Sequence, residues 1–210
     1  MEISWKKYKD IASEQIGAGG SFIYRGQRDS SWSLISTLMR TNLVWSLNDF
    51  QSYFNYVLPQ VQEKVEAWEG RSWDLSNQLG LAEFVAYMQH NGFPTPLLDW
   101  TYSPYIAAYF AFEGVDHFDP QSERVSIYCF NQKAWGEKYK QEYDIAHDLA
   151  HVSVLRPRIV GNHKLALQQG CFTYSNVKDI EVHICANETE AEKYLTKYTF
   201  AVSERPKIIS

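Results

Sequence analysis

The 210-residue chain has few cysteines, little net charge of either sign and no long apolar run. Three cysteines, Cys129, Cys171 and Cys185, lie far apart and are odd in number, which argues against a disulfide framework and suits a reducing cytoplasm. No CxxC or HExxH stands in the sequence, so the common zinc signatures are missing. The longest apolar stretch, near YIAAYFAF, is too short for a membrane span, and the opening MEISWKKYKD has no apolar core of a secretory signal. The formal charge of −5 excludes a global attraction to nucleic acid, so a polyanion would need a local basic patch. The glycine cluster at 17–20 precedes a strand pattern and is not followed by Lys-Ser/Thr, so it is no phosphate loop.

What the chain does have is aromatic residues, 15% of the total within 45% apolar residues. That composition fits one globular domain with a sizeable core. Helical spacing is expected over 2–16, 47–68 and 79–90, with further helix near 132–150 and 188–195. Ser103-Pro104 reads as an N-cap followed by a first-turn proline, opening another helix. Strands are expected at 21–25, 95–100, 124–130, 152–160, 171–175 and 180–186. Helices dominate the first half and strands the second without βαβ alternation. The expected class is therefore α+β, one domain over 1–210 with a mixed or antiparallel sheet and flanking helices.

Five polar groupings draw attention. FIYRGQ (22–27) is a strand built for burial that ends on Arg25, whose charge must meet an anion or several acceptors. QHNGFPTPLLDWTYSP (89–104) places His90, Asp99, Thr101 and Ser103 in one helix–strand–helix passage. On a strand, Asp99 and Thr101 share a face beside a helix start, which suits a polar or anionic ligand or, equally, a helix cap. Asp144, His147, Asp148 and His151 fall on one helical face, but a solvated polar face accounts for them better than a metal does. Arg156, Arg158, His163 and Lys164 form a basic stretch, read either as surface charge or as phosphate contacts. In ALQQGCFTY (166–174), Gln168 or Gln169 adjoins a strand that lines a cleft or a plain exposed turn.

Taken in order, FIYRGQ, QHNGFPTPLLDWTYSPYIAAYFAF and NHKLALQQGCFT resemble the FRG-domain family, named for a Phe-x-x-Arg-Gly signature, over about 21–175. The resemblance implies a divergent ADP-ribosyltransferase-like fold and an NAD-dependent transferase. It further implies a cytoplasmic toxin or anti-phage defence effector, a macromolecular acceptor (RNA or DNA slightly ahead of protein) and a cognate antitoxin. Arg25 then matches the arginine that ends an early strand, Thr101 and Ser103 the hydroxyl-bearing strand, and Gln168 the later Glu or Gln. On this reading Arg25 binds phosphate, Thr101 fixes the ribose or orients Arg25, and Tyr102 or Tyr109 stacks on nicotinamide. Gln27, His90 and Ser103 complete the dinucleotide site, and Asp99, ahead of Glu181, supplies the negative field that a cationic ribose requires. Pro96 stands where many members carry arginine, and Lys164 where arginine is common. The absence of an unambiguous catalytic Glu and the Pro96 departure favour one alternative, a non-catalytic nucleotide- or partner-binding module; the other is an NAD glycohydrolase, in which water replaces the acceptor.

Overall fold

The computed structural model describes residues 1–44, 46–115, 123–143, 149–156 and 169–208. Strands β1 (Phe22–Gln27), β2 (Leu97–Thr101), β3 (Arg124–Asn131), β4 (Val152–Leu155), β5 (Gly170–Ser175) and β6 (Leu195–Ala201) form one six-stranded sheet, ordered β4-β5-β2-β1-β3-β6. All paired strands are antiparallel. Helices α1 (Trp5–Gly17), α2 (Thr37–Arg40), α3 (Leu47–Ser52), α4 (Leu58–Glu69), α5 (Gln78–His90), α6 (Pro104–Phe112), α7 (Gln132–Lys138) and α8 (Ile180–Ala186) flank it. The α+β expectation therefore holds, with the antiparallel form of the sheet.

Burial along the strands explains where the helices lie. Tyr24, Val125, Ile127 and Cys129 pack with Tyr8 of α1 and with Ala107, Ala108 and Ala111 of α6. Leu97, Phe172 and Tyr174 pack on the same face, under Phe50, Phe84 and Val85 of α3 and α5. The opposite face carries Ile23, Leu98, Trp100, Tyr128 and Phe130 against Trp135 of α7 and Ile180 and Ile184 of α8. Side chains alternate across each strand, so both faces read as apolar wherever helices cover both.

Three segments differ from their sequence pattern. IEVHICA, 180–186, alternates like a strand but is helix α8. The Asp179 carboxylate accepts from the Val182 amide as N-cap, and Ile180 and Ile184, four apart, are buried while Val182 is exposed. With apolar residues at 180, 182 and 184, both periods fit; the cap decides for the helix. No helix forms over 188–195, where one was expected; the chain runs there without regular structure into the last strand, Leu195–Ala201. The helix expected over 132–150 stops at Lys138, with Tyr139 extended.

The structural feature that matters most is the join between β1 and β2. β1 pairs with β3 over six residues and β2 with β5 over five, yet β1 and β2 meet in register only at Tyr24↔Thr101. The sheet is thus two three-stranded halves joined at one point and parting beyond it.

Candidate active site

The parting strands open a cleft of about 350 Å³ lined from both halves: Arg25 and Gln27 from β1, Asp99 and Thr101 from β2, and Gly170 from β5. Its position follows from local sequence. Gly26 lets α6 lie on β1, since a Cβ there would stand 2.0 Å from the carbonyl oxygen of Ala107 and 2.6 Å from the Ala111 amide nitrogen. Both are backbone atoms that cannot swing aside, so only glycine fits. Ser103 then starts α6 by accepting from the Ile106 amide at 3.3 Å, and Tyr8 ties α1 to it by donating to the Pro104 carbonyl at 3.0 Å.

Arg25 bridges the gap. Its Nη1 donates to the main-chain carbonyl of Asp99 at 2.7 Å, and the Asp99 carboxylate stands 3.9 Å from the same nitrogen. The arginine side chain is 18% exposed and the aspartate side chain 59%. The Arg25 Nε is buried and has no hydrogen-bond partner among the described residues. Burial lowers the Arg25 pKa from its ordinary value, the Asp99 carboxylate draws it back up, and Arg40 pushes it down again. The guanidinium remains charged throughout, because no protein environment reaches the shift needed to neutralise it.

Asp99 is not a helix cap. Its Oδ2 accepts from Gln89 Nε2 at 3.0 Å, while the cap of α6 is Ser103. Thr101, 3% exposed, lines the cleft and accepts through Oγ1 from the Ser103 amide. Gln27 lies on the same β1 face as Arg25 and is 5% exposed. Arg25, Gln27, Asp99 and Thr101 therefore line one cleft, although 74 positions separate Arg25 from Asp99; Gln168, expected with them, lies outside the described residues.

Other expected members do not line this cleft. Tyr102 points away from Thr101, as alternation demands, into a separate hollow where Arg156 lies over its ring at 5.0 Å. Arg156 also donates to Gln132 at 3.2 Å, so it serves that hollow and not the cleft. Tyr109 is 47% exposed and donates to Glu113 at 3.1 Å; its neighbour Phe110 takes the place on the cleft wall. The reason is helical geometry: Ala107 and Ala111 face β1, and Phe110, three after Ala107, stays beside that face while Tyr109 turns outward. His90 is exposed at the end of α5, away from the cleft lining. Ser103 acts as the cap described above and does not line the cleft. Glu181 accepts from the Tyr128 hydroxyl at 2.6 Å and lies 3.8 Å from Lys197, outside the cleft lining. Gln168, Lys164, Arg158, His163, Asp144, His147 and Asp148 lie outside the described residues. His151 is buried, its amide donating to Asn176 at 3.0 Å.

Three cleft residues escaped the sequence reading: Arg28, Arg40 and Trp32. Arg28 and Arg40 are exposed and make no ion pair within 4 Å among the described residues. Both are cations on the cleft lining, whereas Pro96 is buried beside β2 and brings no charge. Trp32, 52% exposed, stands at the mouth. Three guanidinium groups thus face a single carboxylate, Asp99, among the described lining residues, a local reversal of the chain's acidic total. Such a surface attracts anions, and its planar forks suit phosphate oxygens.

Among the described residues no group of His, Cys, Asp and Glu could hold a metal, and no helix is long and apolar enough to cross a membrane. No curated protein and no solved structure matches this chain. A family model does: the FRG domain model matches residues 20–120, which takes in FIYRGQ with Arg25 and the whole passage from Gln89 to Phe112. The cleft residues contributed by β1 and β2 fall within that match, which supports placing residues 20–120 in the FRG-domain family.

Proposed function

We propose that the cleft binds NAD and that the protein is an NAD-dependent ADP-ribosyltransferase. The observation that carries this reading is the gap between β1 and β2, where Arg25, Arg28 and Arg40 meet Asp99, with Trp32 and Phe110 as apolar walls. A dinucleotide needs a cationic cradle for its pyrophosphate and flat apolar surface for its rings, and the cleft offers both. Arg25 is the innermost cation; Arg28 and Arg40 extend the positive field to the rim.

In the reaction, the bond between ribose C1′ and the nicotinamide nitrogen breaks, and its electron pair leaves with nicotinamide. The ribose takes on positive charge until an acceptor's lone pair forms the new bond to C1′, the acceptor's proton passing to a base or to water. Asp99 supplies the negative field for that charge, and Thr101 fixes the ribose beside it. The Gln89 amide holds the Asp99 carboxylate in place at 3.0 Å without neutralising it. A nucleic-acid or protein acceptor, a toxin or defence role and a cognate antitoxin rest on the family resemblance alone.

A second reading has its own observation. Asp99 shares its charge with Arg25 at 3.9 Å, and a site with one partly compensated carboxylate suits a binding module that holds a nucleotide without cleaving it. Incubation with NAD labelled in the adenylate part separates the readings. Label on a macromolecule is the expected result, free ADP-ribose indicates a glycohydrolase, and saturable binding without turnover leaves the module.

A further inference from the structure

Two polar atoms of opposite character are left without partners on one wall of the cleft. Arg25 Nε is a donor and Gln27 Oε1 an acceptor; both are buried, and neither has a hydrogen-bond partner among the described residues. They lie two residues apart on β1, hence on the same face of the strand, and both residues line the cleft. A buried polar group left unpaired is costly, and few are tolerated in a folded protein.

The orientation of the Gln27 amide is set by its other end. Gln27 Nε2 donates to the carbonyl oxygen of Ser33 at 3.3 Å. Turning the amide over would bring Oε1 against that carbonyl, acceptor against acceptor, so Nε2 stays with Ser33 and Oε1 stays unpaired. Ser33 belongs to the segment that brings Trp32 to the mouth of the cleft. The same hydrogen bond therefore fixes the acceptor and tethers one wall.

We infer that Gln27, beside Arg25, is a specificity residue that reads a ligand edge carrying an acceptor next to an N–H donor. This deepens the dinucleotide reading and rests on it for the choice of ligand. Both ends of NAD present such an edge: the carboxamide of nicotinamide, with its oxygen and amino group, and the outer edge of adenine, with N7 beside its exocyclic amine. A carboxylate in place of the carboxamide brings no donor for Gln27 Oε1. Hypoxanthine in place of adenine turns the N7 edge into two neighbouring acceptors, N7 and O6, with no donor. A site with buried groups waiting for hydrogen bonds rejects an analogue that leaves them unmade.

The test is a binding series by calorimetry on the whole chain. NAD, nicotinic acid adenine dinucleotide, nicotinamide hypoxanthine dinucleotide, free nicotinamide and free adenine are compared on the wild type and on Gln27→Met, with inorganic pyrophosphate as the control. Met keeps the length and apolar stem of Gln but has no strong acceptor. Wild type is expected to favour NAD at least about tenfold over one of the two altered dinucleotides, which names the end that is read. In Gln27→Met that preference should shrink to within about twofold, while pyrophosphate affinity stays the same and the melting temperature confirms folding. Equal binding of all three dinucleotides by wild type, or a preference unchanged in Gln27→Met, overturns the role of Gln27 and leaves the dinucleotide reading standing. Binding of free nicotinamide or adenine that depends on Gln27, with no dinucleotide bound, keeps the role and overturns the dinucleotide. Binding of none of them overturns both.

Discussion

Arg25 reaches across the gap between two strands and is held there by the main chain of Asp99, at 2.7 Å, more closely than by its carboxylate, at 3.9 Å. In a continuous sheet a carbonyl at that position would face the neighbouring strand's amides; here the pairing of β1 with β2 stops at Tyr24↔Thr101 and a guanidinium stands in. The arginine thus serves two ends. It satisfies an edge carbonyl, and it sets a fixed charge at the inner end of the cleft. Holding it by a neutral carbonyl leaves more of its charge for a ligand than a close ion pair would.

Arg25→Lys separates those ends. Lysine keeps the charge and one donor for the Asp99 carbonyl, but loses the planar fork and the Nε–H. NAD turnover should fall at least about tenfold, or ~1.4 kcal/mol, with a folded protein. A Lys variant that turns over NAD like the parent would show that the fork is not used.

Asp99→Asn tests the carboxylate. Asparagine retains an acceptor for Gln89, and the ion pair it removes has a mostly exposed partner, so stability should change by under about 1 kcal/mol. Turnover should fall much more than NAD affinity, because the charge is needed at the transition state. A large drop in melting temperature with normal turnover per folded molecule would leave Asp99 as a structural residue only.

Ser103 gives the complementary case. It caps α6 and does not line the cleft, so Ser103→Ala should cost about 1 kcal/mol of stability while NAD affinity is unchanged. A loss of affinity at constant stability would return Ser103 to the binding site.

How much of this could be read beforehand depends on the kind of signal. Arg25 stood out because a charge ended a run built for burial, whereas the need for glycine at 26 shows only once α6 lies on β1. Asp99 and Thr101 share a face by strand periodicity alone. Tyr102 and Tyr109 were misread because an aromatic residue next to a site residue points elsewhere on a strand, and one position along a helix turns a ring about a quarter of the way round. Arg28, Trp32 and Arg40 left little signal, since an exposed arginine or tryptophan in a loop or short helix looks like any other surface residue. Their role comes from how the segment after β1 folds back over the gap, a tertiary fact that periodicity does not encode. The same limit explains α8: the alternation of 180–186 satisfied a strand, and the local cap at Asp179 overrode it.

The buried acids make a prediction about alkaline pH. Burial pushes the thiols of Cys129 and Cys171 up to about 12 and the Tyr198 hydroxyl up to about 12, and raises Tyr8, Tyr24, Tyr53 and Tyr128 as well. In the unfolded chain these groups ionise near their ordinary values, roughly 8.5 for a thiol and 10 for a phenol. Below those values both states are protonated and the stability is fully present. As pH rises beyond them the unfolded chain loses protons that the folded chain keeps, so stability falls progressively towards the folded values. Urea midpoints at about pH 8, 9.5 and 10.5 should therefore decline in that order. Cys185 is exposed while Cys129 and Cys171 are buried, so a thiol reagent at about pH 8 should label Cys185 quickly and the other two only on unfolding. Labelling of all three at one rate in the native protein, or a flat urea midpoint up to about pH 10.5, would contradict the packing of Cys129 against Tyr24 and Tyr198 and of Cys171 behind the cleft.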